Sequence, residues 1–470
     1  MDSTTHQIIV IGGGPGGEAA SAHAARTGAD VVLVERELVG GECPYWGCMP
    51  SKAMLRPSQA LAETLRVPGA AEAVTGPLDV DALFARRDEV VRGLDDSSHA
   101  QRIESTGVTI VRGHGRLTGE RAVEVEAADG TRRALVATNA VILAPGSRAA
   151  MPPIDGLADA RPWTNREATL ADHAPRRLVA LGGGVISVEL AQAFAALGSD
   201  VTILEQGERI LTREEPEAAA LVATSLVRAG ITIRTGVATT RVDRASDGTV
   251  TLTLANGETI ACDELLVATG RQGNAEDLGL ETVGVTATKR GTITVTDCMR
   301  VPDVDWLYVV GDATGRAQLT HAAVYQAKVA ARNALGLETH CVEDNVAAPR
   351  VMFTEPHVAA VGHTMASAEQ AGLHVRAFDR DPQRVAAGSF HGSGSDGFAR
   401  IILDLDTTCV VGATFVAPDI AELLHSATIA IVGEVPLERL RHCVAPFPTR
   451  SEVWTKLIEL IDRDPDLAQR

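Results

Sequence analysis

The stretch Ile8-Ile-Val-Ile-Gly-Gly-Gly-Pro-Gly-Gly17 decides the fold, because it leads from an apolar run through a glycine-rich turn into an Ala-rich segment. Gly12, Gly14 and Gly17 allow a sharp turn, a close approach of the backbone to a pyrophosphate, and tight contact between helix and strand. The next apolar run ends at Glu35, whose carboxylate can accept hydrogen bonds from ribose hydroxyls. The pattern predicts a strand, helix and strand that bind a dinucleotide at the helix N-terminus.

The same arrangement recurs later in the chain and predicts a second dinucleotide site. Gly182 and Gly184 follow the apolar run from Arg177 to Leu181, and the next apolar run ends at Glu205. Ser187 stands at the position of the third glycine, so we expect helix and strand to lie slightly further apart here.

The acidic residue that ends this second unit bears on the choice between NADH and NADPH. The Glu205 carboxylate would repel a 2′-phosphate, whereas an NADPH site usually contains arginine. Arg209 follows shortly after Glu205 and could partly offset the repulsion. The sequence therefore favours NADH.

Two cysteines lie close together in the run Gly40-Gly-Glu-Cys-Pro-Tyr-Trp-Gly-Cys-Met-Pro-Ser-Lys52. On a regular helix their five-residue separation corresponds to a rise of about 7.5 Å, which exceeds the roughly 7 Å Cα limit for a disulfide. A bond between Cys43 and Cys48 therefore requires an irregular first turn, for which Pro44 supplies a reason. The pair predicts a redox-active disulfide; free buried cysteines and metal ligands are the alternatives that a bare C-x4-C spacing leaves open.

Length and composition narrow the class of protein. At 470 residues the chain is too long for one hydrophobic core, so two to four domains are expected. It has no long apolar run that could span a bilayer, no signal-peptide pattern at Met1 to Gln7, and mostly scattered cysteines, which predicts a cytoplasmic protein. The net charge of −18 predicts neither nucleic acid nor membrane as a partner. No metal site is predicted.

Together, these motifs and others further along the chain resemble the flavoprotein disulfide reductases, the pyridine-nucleotide family that includes dihydrolipoamide dehydrogenase, glutathione reductase and mercuric reductase. The resemblance covers nearly the whole chain. The additional motifs are Ala144-Pro-Gly146-Ser147, Ala268-Thr-Gly270-Arg271, Trp306-Leu-Tyr-Val-Val-Gly311-Asp312 and Pro349-Arg-Val-Met-Phe-Thr-Glu-Pro356.

The resemblance implies FAD and NAD(P)H as cofactors and a homodimer as the assembly. It also implies an α/β fold with two Rossmann-like dinucleotide-binding domains and a C-terminal α+β dimerisation domain. The implied boundaries are 1–150 for the first part of the FAD-binding domain, 151–275 for the NAD(P)-binding domain, 276–347 for the second FAD or central part, and 348–470 for the interface domain.

The resemblance also assigns roles to individual residues. Electrons would pass from NAD(P)H to the flavin, then to the Cys43–Cys48 disulfide and on to an acceptor. Cys48 would lie against the flavin, and Cys43 would exchange with substrate. Lys52 and Glu189 match an ion pair near the flavin N5, which would stabilise negative charge on the reduced ring. Further cofactor-binding residues would be Gly146, Gly270, Gly311 and Asp312.

A segment near the C-terminus departs from the family. Phe447 occupies the position of a histidine that serves as acid and base in dithiol reductases, and a benzene ring cannot transfer a proton. Glu452 would normally orient that histidine; with Thr449 it also forms a capping-box pattern at the start of a helix. His442 and Cys443 are candidates for a replacement group.

Aromatic residues are expected at the mouth of the site. Tyr45 and Trp46 lie between the two cysteines, and Phe447 would face the same place in the dimer. Such an apolar mouth would raise the pKa of a thiol by desolvation and slow attack by Cys43. The alternative is that the aromatic rings pack against the neighbouring helix.

These departures argue against ordinary dihydrolipoamide dehydrogenase or glutathione reductase activity and predict a non-standard electron acceptor. The alternatives are acid-independent reduction of metal ions, quinones or small electrophiles, and a redox-sensing flavoprotein without turnover. The 2-ketopropyl-coenzyme M oxidoreductase/carboxylase, which performs carbanion chemistry, shares the phenylalanine but has histidine where this chain has Glu452. Mercuric reductase uses a C-terminal cysteine pair that Arg463 to Arg470 lacks.

Overall fold

The computed structural model describes residues 3–341, 344, 346–392, 394 and 396–467. The chain divides into two compact units. Unit 1 comprises Met1–Pro50, Asp88–Ala150 and Arg271–Asn345, and unit 2 comprises Ser51–Arg87, Met151–Gly270 and Val346–Arg470.

Helices and strands alternate over most of the chain. The strands are β1 Ser3–Ile11, β2 Val31–Glu35, β3 Thr109–Arg112, β4 His114–Gly119, β5 Ala122–Glu126, β6 Arg132–Leu143, β7 Ser147–Ala149, β8 Arg177–Leu181, β9 Asp200–Leu204, β10 Thr232–Arg234, β11 Thr239–Arg244, β12 Val250–Leu254, β13 Thr259–Cys262, β14 Glu264–Val267, β15 Arg271–Gly273, β16 Leu307–Val309, β17 Arg350–Met352, β18 His357–Gly362, β19 Val375–Arg380, β20 Phe398–Asp404 and β21 Val410–Ala417. The α-helices are α1 Pro15–Arg26, α2 Glu42–Trp46, α3 Cys48–Arg66, α4 Val80–Val90, α5 Ser97–Glu104, α6 Asn165–Leu170, α7 Val185–Ala196, α8 Pro216–Arg228, α9 Thr320–Ala334, α10 Met365–Gln370, α11 Leu424–Val432, α12 Leu437–Leu440 and α13 Glu452–Ile461. Short 3₁₀ helices lie at Ala71–Ala73, Arg92–Leu94, Leu280–Val283, Gly311–Thr314, Pro382–Arg384, Ala386–His391 and Ala421–Leu423.

Unit 1 is organised around a sheet with the strand order β3-β2-β1-β6-β5-β4. β1 lies parallel to both β2 and β6, with Ile8 opposite Val31 on one side and Ala140 on the other. The end of β6 also pairs in parallel with β16, whereas its beginning pairs antiparallel with β5. The strand, helix and strand predicted from the first glycine-rich turn are therefore confirmed.

The central strands of this sheet supply two hydrophobic cores, because successive side chains of a strand face opposite sides. Ile8 and Val10 pack with alanines of α1 and α9 on one face. Ile9 and Ile11 pack on the other face with residues of β4, β5 and β16. Every residue of β2 is buried, which explains why the strand reads as a continuous apolar run up to Glu35 rather than as an alternating pattern.

Unit 2 contains three sheets in the ranges that the structure describes. The second nucleotide-binding unit forms parallel strands in the order β10-β9-β8-β14. β11, β12 and β13 are antiparallel, and β12 and β13 form a hairpin around Asn256-Gly257. The third sheet has the order β17-β18-β21-β20-β19 and shares one hydrophobic core with α11 and α13.

This arrangement confirms the predicted α/β class. The segments 151–275 and 348–470, expected as separate domains, both belong almost entirely to unit 2, so the four boundaries stay a prediction. Among the described residues, no helix has both the length and the apolar character needed to cross a membrane.

Candidate functional site

The first glycine-rich turn has the steric properties that its sequence predicts. A Cβ atom on Gly12 would lie 2.2 Å from the carbonyl oxygen of Ala144, and one on Gly17 would lie 1.7 Å from the carbonyl oxygen of Gly12. Gly14 precedes α1 and makes no side-chain cap, and a Cβ there would meet only the Cα of Gly41, at 3.9 Å. The helix N-terminus thus opens onto space that suits a pyrophosphate.

The second turn repeats this geometry with one difference. Gly182 has a φ of +105°, and a Cβ on it would lie 2.5 Å from the carbonyl oxygen of Ala268. Gly184 precedes α7, as Gly14 precedes α1. At the third position the fully buried Ser187 is accommodated, whereas Gly17 leaves no room for any side chain. The helix and strand are therefore spaced to admit a side chain at Ser187.

The substitution Gly184→Ala should weaken dinucleotide binding without affecting folding. A Cβ on Gly184 meets no described atom within 4 Å, and the extended backbone there, with φ −81° and ψ 179°, suits alanine. We expect an unchanged melting temperature but about tenfold weaker NADH binding, because the methyl group occupies the approach to the pyrophosphate. Gly76→Ala, also in open space, is the control. An unchanged Kd for NADH in Gly184→Ala would contradict the assignment of this turn.

The two glutamates at the strand ends make the same backbone hydrogen bonds in both turns. Glu35 accepts hydrogen bonds from the backbone N–H groups of Gly13 (2.5 Å) and Glu37 (2.6 Å). Glu205 accepts them from Gly183 (2.5 Å) and Gly207 (2.6 Å). Each carboxylate therefore ties its strand end to its glycine turn and keeps further lone pairs for ribose hydroxyls. The sequence pattern did not reveal these backbone contacts.

Burial affects the first of these carboxylates. Glu35 is almost fully buried, and desolvation raises its pKa above the ordinary value, against the effect of the hydrogen bonds from Glu37 and Gly13. The carboxylate depends on those backbone donors for its charge.

Arg209, which could have offset the charge of Glu205, is engaged elsewhere. Its guanidinium donates to the backbone carbonyl oxygens of Leu211 (2.8 Å), Thr212 (3.0 Å) and Glu214 (3.0 Å). These contacts hold the loop after β9 together and engage both Nη groups of Arg209.

A polar cluster in unit 1 joins the two short motifs around Ser147 and Arg271 to Asp312. The Ser147 hydroxyl donates to the Asp312 carboxylate. Arg271 donates through Nε to the Ser147 hydroxyl (2.9 Å) and through Nη2 to its carbonyl oxygen (2.8 Å), and it lies 3.7 Å from Glu42. Sequence reasoning had singled out the glycines of these motifs and missed Ser147 and Arg271, although both residues stand in the quoted motifs.

The glycines named with this cluster have positive φ angles. Gly146 and Gly311 have φ values of +67° and +75°, and Gly270 has +140°. The N–H of Gly311 donates to Oε1 of the buried Gln326 (2.8 Å), which holds the end of β16 against α9. Asp312 therefore lies in the 3₁₀ helix that begins just after β16.

The two cysteines flank a break between two helices. α2 ends at Trp46, α3 begins at Cys48, and Gly47 between them has non-helical dihedral angles of φ −124° and ψ −110°. A Cβ on Gly47 would lie 3.4 Å from the Cα of Cys43. The predicted irregularity exists, but it lies at Gly47 rather than at Pro44, because proline is accommodated within the first turn of α2.

Both cysteines are free thiols in the structure, with Cys43 partly buried and Cys48 exposed. A hydrogen bond between the Cys43 and Cys48 thiols, together with burial, holds the pKa of Cys43 above its usual range. Sγ of Cys48 lies 3.6 Å from the hydroxyl oxygen of Thr320 at the start of α9. Thr320 was not anticipated from the sequence, since it lies far along the chain.

The expectation of an aromatic mouth is wrong for Tyr45 and Trp46. Their exposed fractions are only 1% and 7%. The Tyr45 hydroxyl donates to the carbonyl oxygen of Val39 (3.1 Å), and its ring packs edge-on against Trp46 and tilted against His99. The rings are buried in unit 1 because a hydrogen-bond acceptor and a neighbouring ring are available there.

Lys52 and Glu189 form an ion pair in unit 2. The Lys52 Nζ lies 2.6 Å from Oε2 of Glu189, with 31% and 4% of the two side chains exposed. The other Glu189 oxygen accepts from the backbone N–H of Phe353 (2.8 Å), and the ring of Phe353 lies 5.1 Å from the Lys52 nitrogen. Burial of the carboxylate is thus compensated by a cation and an N–H donor. Sequence reasoning missed Phe353.

The segment around Phe447 is exposed. Phe447 has 77% of its surface accessible, and His442 and Cys443 are exposed as well. The capping box between Thr449 and Glu452 is wrong: the helix begins at Glu452 without a side-chain cap, and the Thr449 hydroxyl donates to the carbonyl oxygen of Pro446 (2.7 Å) instead. Oε2 of Glu452 is buried and has no hydrogen-bond partner among the described residues.

The chain matches two described protein families. Residues 6–327 match the family "Pyridine nucleotide-disulphide oxidoreductase", and residues 348–458 match "Pyridine nucleotide-disulphide oxidoreductase, dimerisation domain". The sequence is 34% identical to the mercuric reductase of Shigella flexneri, covering 97% of this chain and 81% of the relative. It is 33% identical to the dihydrolipoyl dehydrogenase of Chlamydia muridarum, covering 95% of each.

Solved structures share the fold. LpdA from Mycobacterium tuberculosis superposes with a TM-score of 0.86 at 25% identity, covering 97% of this chain and 99% of that one. The HOCl-induced flavoprotein disulfide reductase RclA from Escherichia coli superposes with a TM-score of 0.84 at 24% identity, covering 97% and 100%.

The chain therefore belongs to the pyridine nucleotide-disulphide oxidoreductases, the flavoprotein disulfide reductases. It is an NAD(P)H-dependent disulfide oxidoreductase that uses FAD. Its dimerisation domain supports a homodimer.

Proposed function

We propose that the protein takes electrons from NADH and passes them through FAD to the Cys43/Cys48 pair, and from there to an acceptor that requires no acid or base at position 447. The observation that carries the acceptor part of the proposal is Phe447. This exposed residue has no titratable group where the family's dithiol reductases have histidine. The acceptor class that follows is metal ions, quinones or other small electrophiles.

Residues of unit 1 suit FAD. The open space at Gly14 and the close contacts at Gly12 and Gly17 fit a pyrophosphate, Glu35 fits the ribose, and Asp312 fits the ribityl hydroxyls. FAD, when bound, supplies the chemistry that turns a two-electron donor, NADH, into a source of electrons for a disulfide.

The two thiols have different roles in the proposed electron transfer. The hydrogen bond between the two thiols and burial raise the pKa of Cys43. The family resemblance assigns Cys48 to the side of the flavin and Cys43 to the side of the acceptor. The family resemblance assigns to Lys52, which Glu189 holds, the role of supplying positive charge for the reduced flavin.

The lack of a base at position 447 limits which acceptors can be reduced. A disulfide substrate needs a proton delivered to its leaving thiol, and a positioned acid or base contributes about 10²- to 10⁴-fold in rate. A soft metal ion or a quinone receives electrons from thiols without such a leaving group and can exchange protons with water. The rate of reduction of these acceptors should therefore fall least when phenylalanine stands in place of an acid or base.

The preference for NADH rests on Glu205 and Arg209. The carboxylate of Glu205 accepts from the second glycine-rich turn, where the ribose is expected to bind, and Arg209 donates to three backbone carbonyl oxygens of the following loop. A 2′-phosphate would meet this negative charge while Arg209 is already engaged with the backbone.

Anaerobic titration of the purified protein with NADH and with NADPH, recorded by visible spectroscopy, tests the donor. We expect NADH to bind at least about tenfold more tightly; equal affinities would overturn the preference. Steady-state assays with NADH test the acceptor. We expect a higher kcat/KM with benzoquinone than with lipoamide, and the reverse order would refute an acid-independent acceptor.

A further inference from the structure

One of the cysteines outside the Cys43/Cys48 pair faces a histidine. Sγ of Cys298, in the loop before β16, lies 3.1 Å from Nδ1 of His340, in the segment after α9. Cys298 is partly exposed and His340 is exposed. Both residues belong to unit 1. None of the roles assigned above to cofactor binding or electron transfer involves them.

The backbone holds these two residues together. The N–H of Cys341, next to His340, donates to the carbonyl oxygen of Asp297, next to Cys298 (2.7 Å). The side chains of Asp297 and Asp344 bind Arg316 at 3.1 Å and 2.6 Å. The Asp297 contacts hold the cysteine loop, and the Cys341 bond fixes the segment that carries His340.

We propose that Cys298 is a modification site that reacts with low-molecular-weight disulfides, with His340 as its base. An imidazole nitrogen within hydrogen-bonding distance of a thiol can take the thiol proton as the sulfur attacks. A partly exposed sulfur is accessible to a small reagent.

The reaction is a thiol–disulfide exchange. The sulfur of Cys298 attacks one sulfur of RSSR, and the proton of the Cys298 thiol passes to Nδ1 of His340. The S–S bond of RSSR breaks, a bond between Cys298 and SR forms, and the leaving thiolate takes the proton from His340 as RSH. The small disulfide is the oxidant, so electrons balance without a further reagent.

The chain offers two internal comparisons. Cys409 has similar exposure, but its thiol donates to the carbonyl oxygen of Glu434 (3.3 Å), and burial raises its pKa. Cys341 is 2% exposed, and burial raises its pKa to about 12. Neither thiol should compete with Cys298.

Peptide mapping by mass spectrometry tests the proposal. The purified holoenzyme, with its thiols reduced and the reductant removed, is incubated with glutathione disulfide, and the mixed disulfide at each cysteine is followed with time. We expect Cys298 to react at least about tenfold faster than Cys409, and His340→Gln to remove most of that difference.

His374→Gln is the matched control, because His374 is also exposed and contacts Asp406 at 3.2 Å rather than a thiol; it should leave the rate at Cys298 unchanged. Cys298→Ser should remove the modification at this site alone. Equal rates at Cys298 and Cys409 in the wild type, or an unchanged rate at Cys298 in His340→Gln, would overturn the proposal.

Discussion

Cys48→Ser should abolish reduction of every acceptor that draws on the cysteine pair, with kcat lowered about 10³-fold or more. A serine hydroxyl cannot form the disulfide that receives the electrons. When two residues act together, removing either one abolishes almost the whole rate enhancement that both provide. Anaerobic reduction of the wild type by NADH should produce a long-wavelength absorption band from the Cys48 thiolate beside the flavin. This band should be missing in the variant.

Cys409→Ser is the control for this prediction, since Cys409 is a partly exposed thiol in unit 2 that bonds to backbone carbonyl oxygens. It should retain both the turnover and the band. If Cys48→Ser kept its turnover, the relay through the cysteine pair would be wrong. If the wild-type flavin were bleached by NADH without the band, Cys48 would not be the inner thiol.

Phe447→His should raise lipoamide or glutathione disulfide reductase activity by about 10²-fold, within the range of a positioned acid or base. Phe447 is 77% exposed, so an imidazole replaces it without opening a cavity. Oε2 of Glu452 is buried without a partner in the described part of the chain, which leaves this oxygen available to a new N–H donor. The gain is measured as kcat/KM with NADH at saturation.

Two further variants make this test specific. Phe447→Leu keeps the position apolar and should show no gain. Combining Phe447→His with Glu452→Gln should lose a large part of the gain if the glutamate orients the new ring. A Phe447→His variant no better than wild type with small disulfides would show that the missing base does not limit this activity.

The glycine-rich turns could be predicted from the sequence because their constraints are local. Gly12 and Gly17 have no room for a side chain, and strand, turn and helix follow one another directly. The ion pair of Lys52 with Glu189 was expected only from the resemblance, since no local pattern joins residues so far apart in the chain. Its third member, Phe353, depends on how β17 and the loop after it pack beside α7, which spacing does not reveal.

The wrong expectations share a cause. The position of Tyr45 and Trp46 between the cysteines predicts an aromatic mouth, but their burial is decided by neighbours such as Val39 and His99. The capping box at Thr449 matches in spacing, yet the hydroxyl donates to the carbonyl oxygen of Pro446, and the N–H of Glu452 donates to the carbonyl oxygen of Thr449 instead. Side-chain hydrogen bonds compete locally with helix caps, so a motif of two residues does not decide between them.

The two strand-end glutamates have a consequence for the energetics of cofactor capture. Glu35 and Glu205 each bind two backbone N–H groups within the protein itself. The loops that would enclose each dinucleotide are thereby ordered before it arrives, and less conformational entropy is lost on association. Each turn is a preorganised receptor, so replacing either glutamate should weaken affinity mainly by loosening the free protein rather than by removing a contact to ribose.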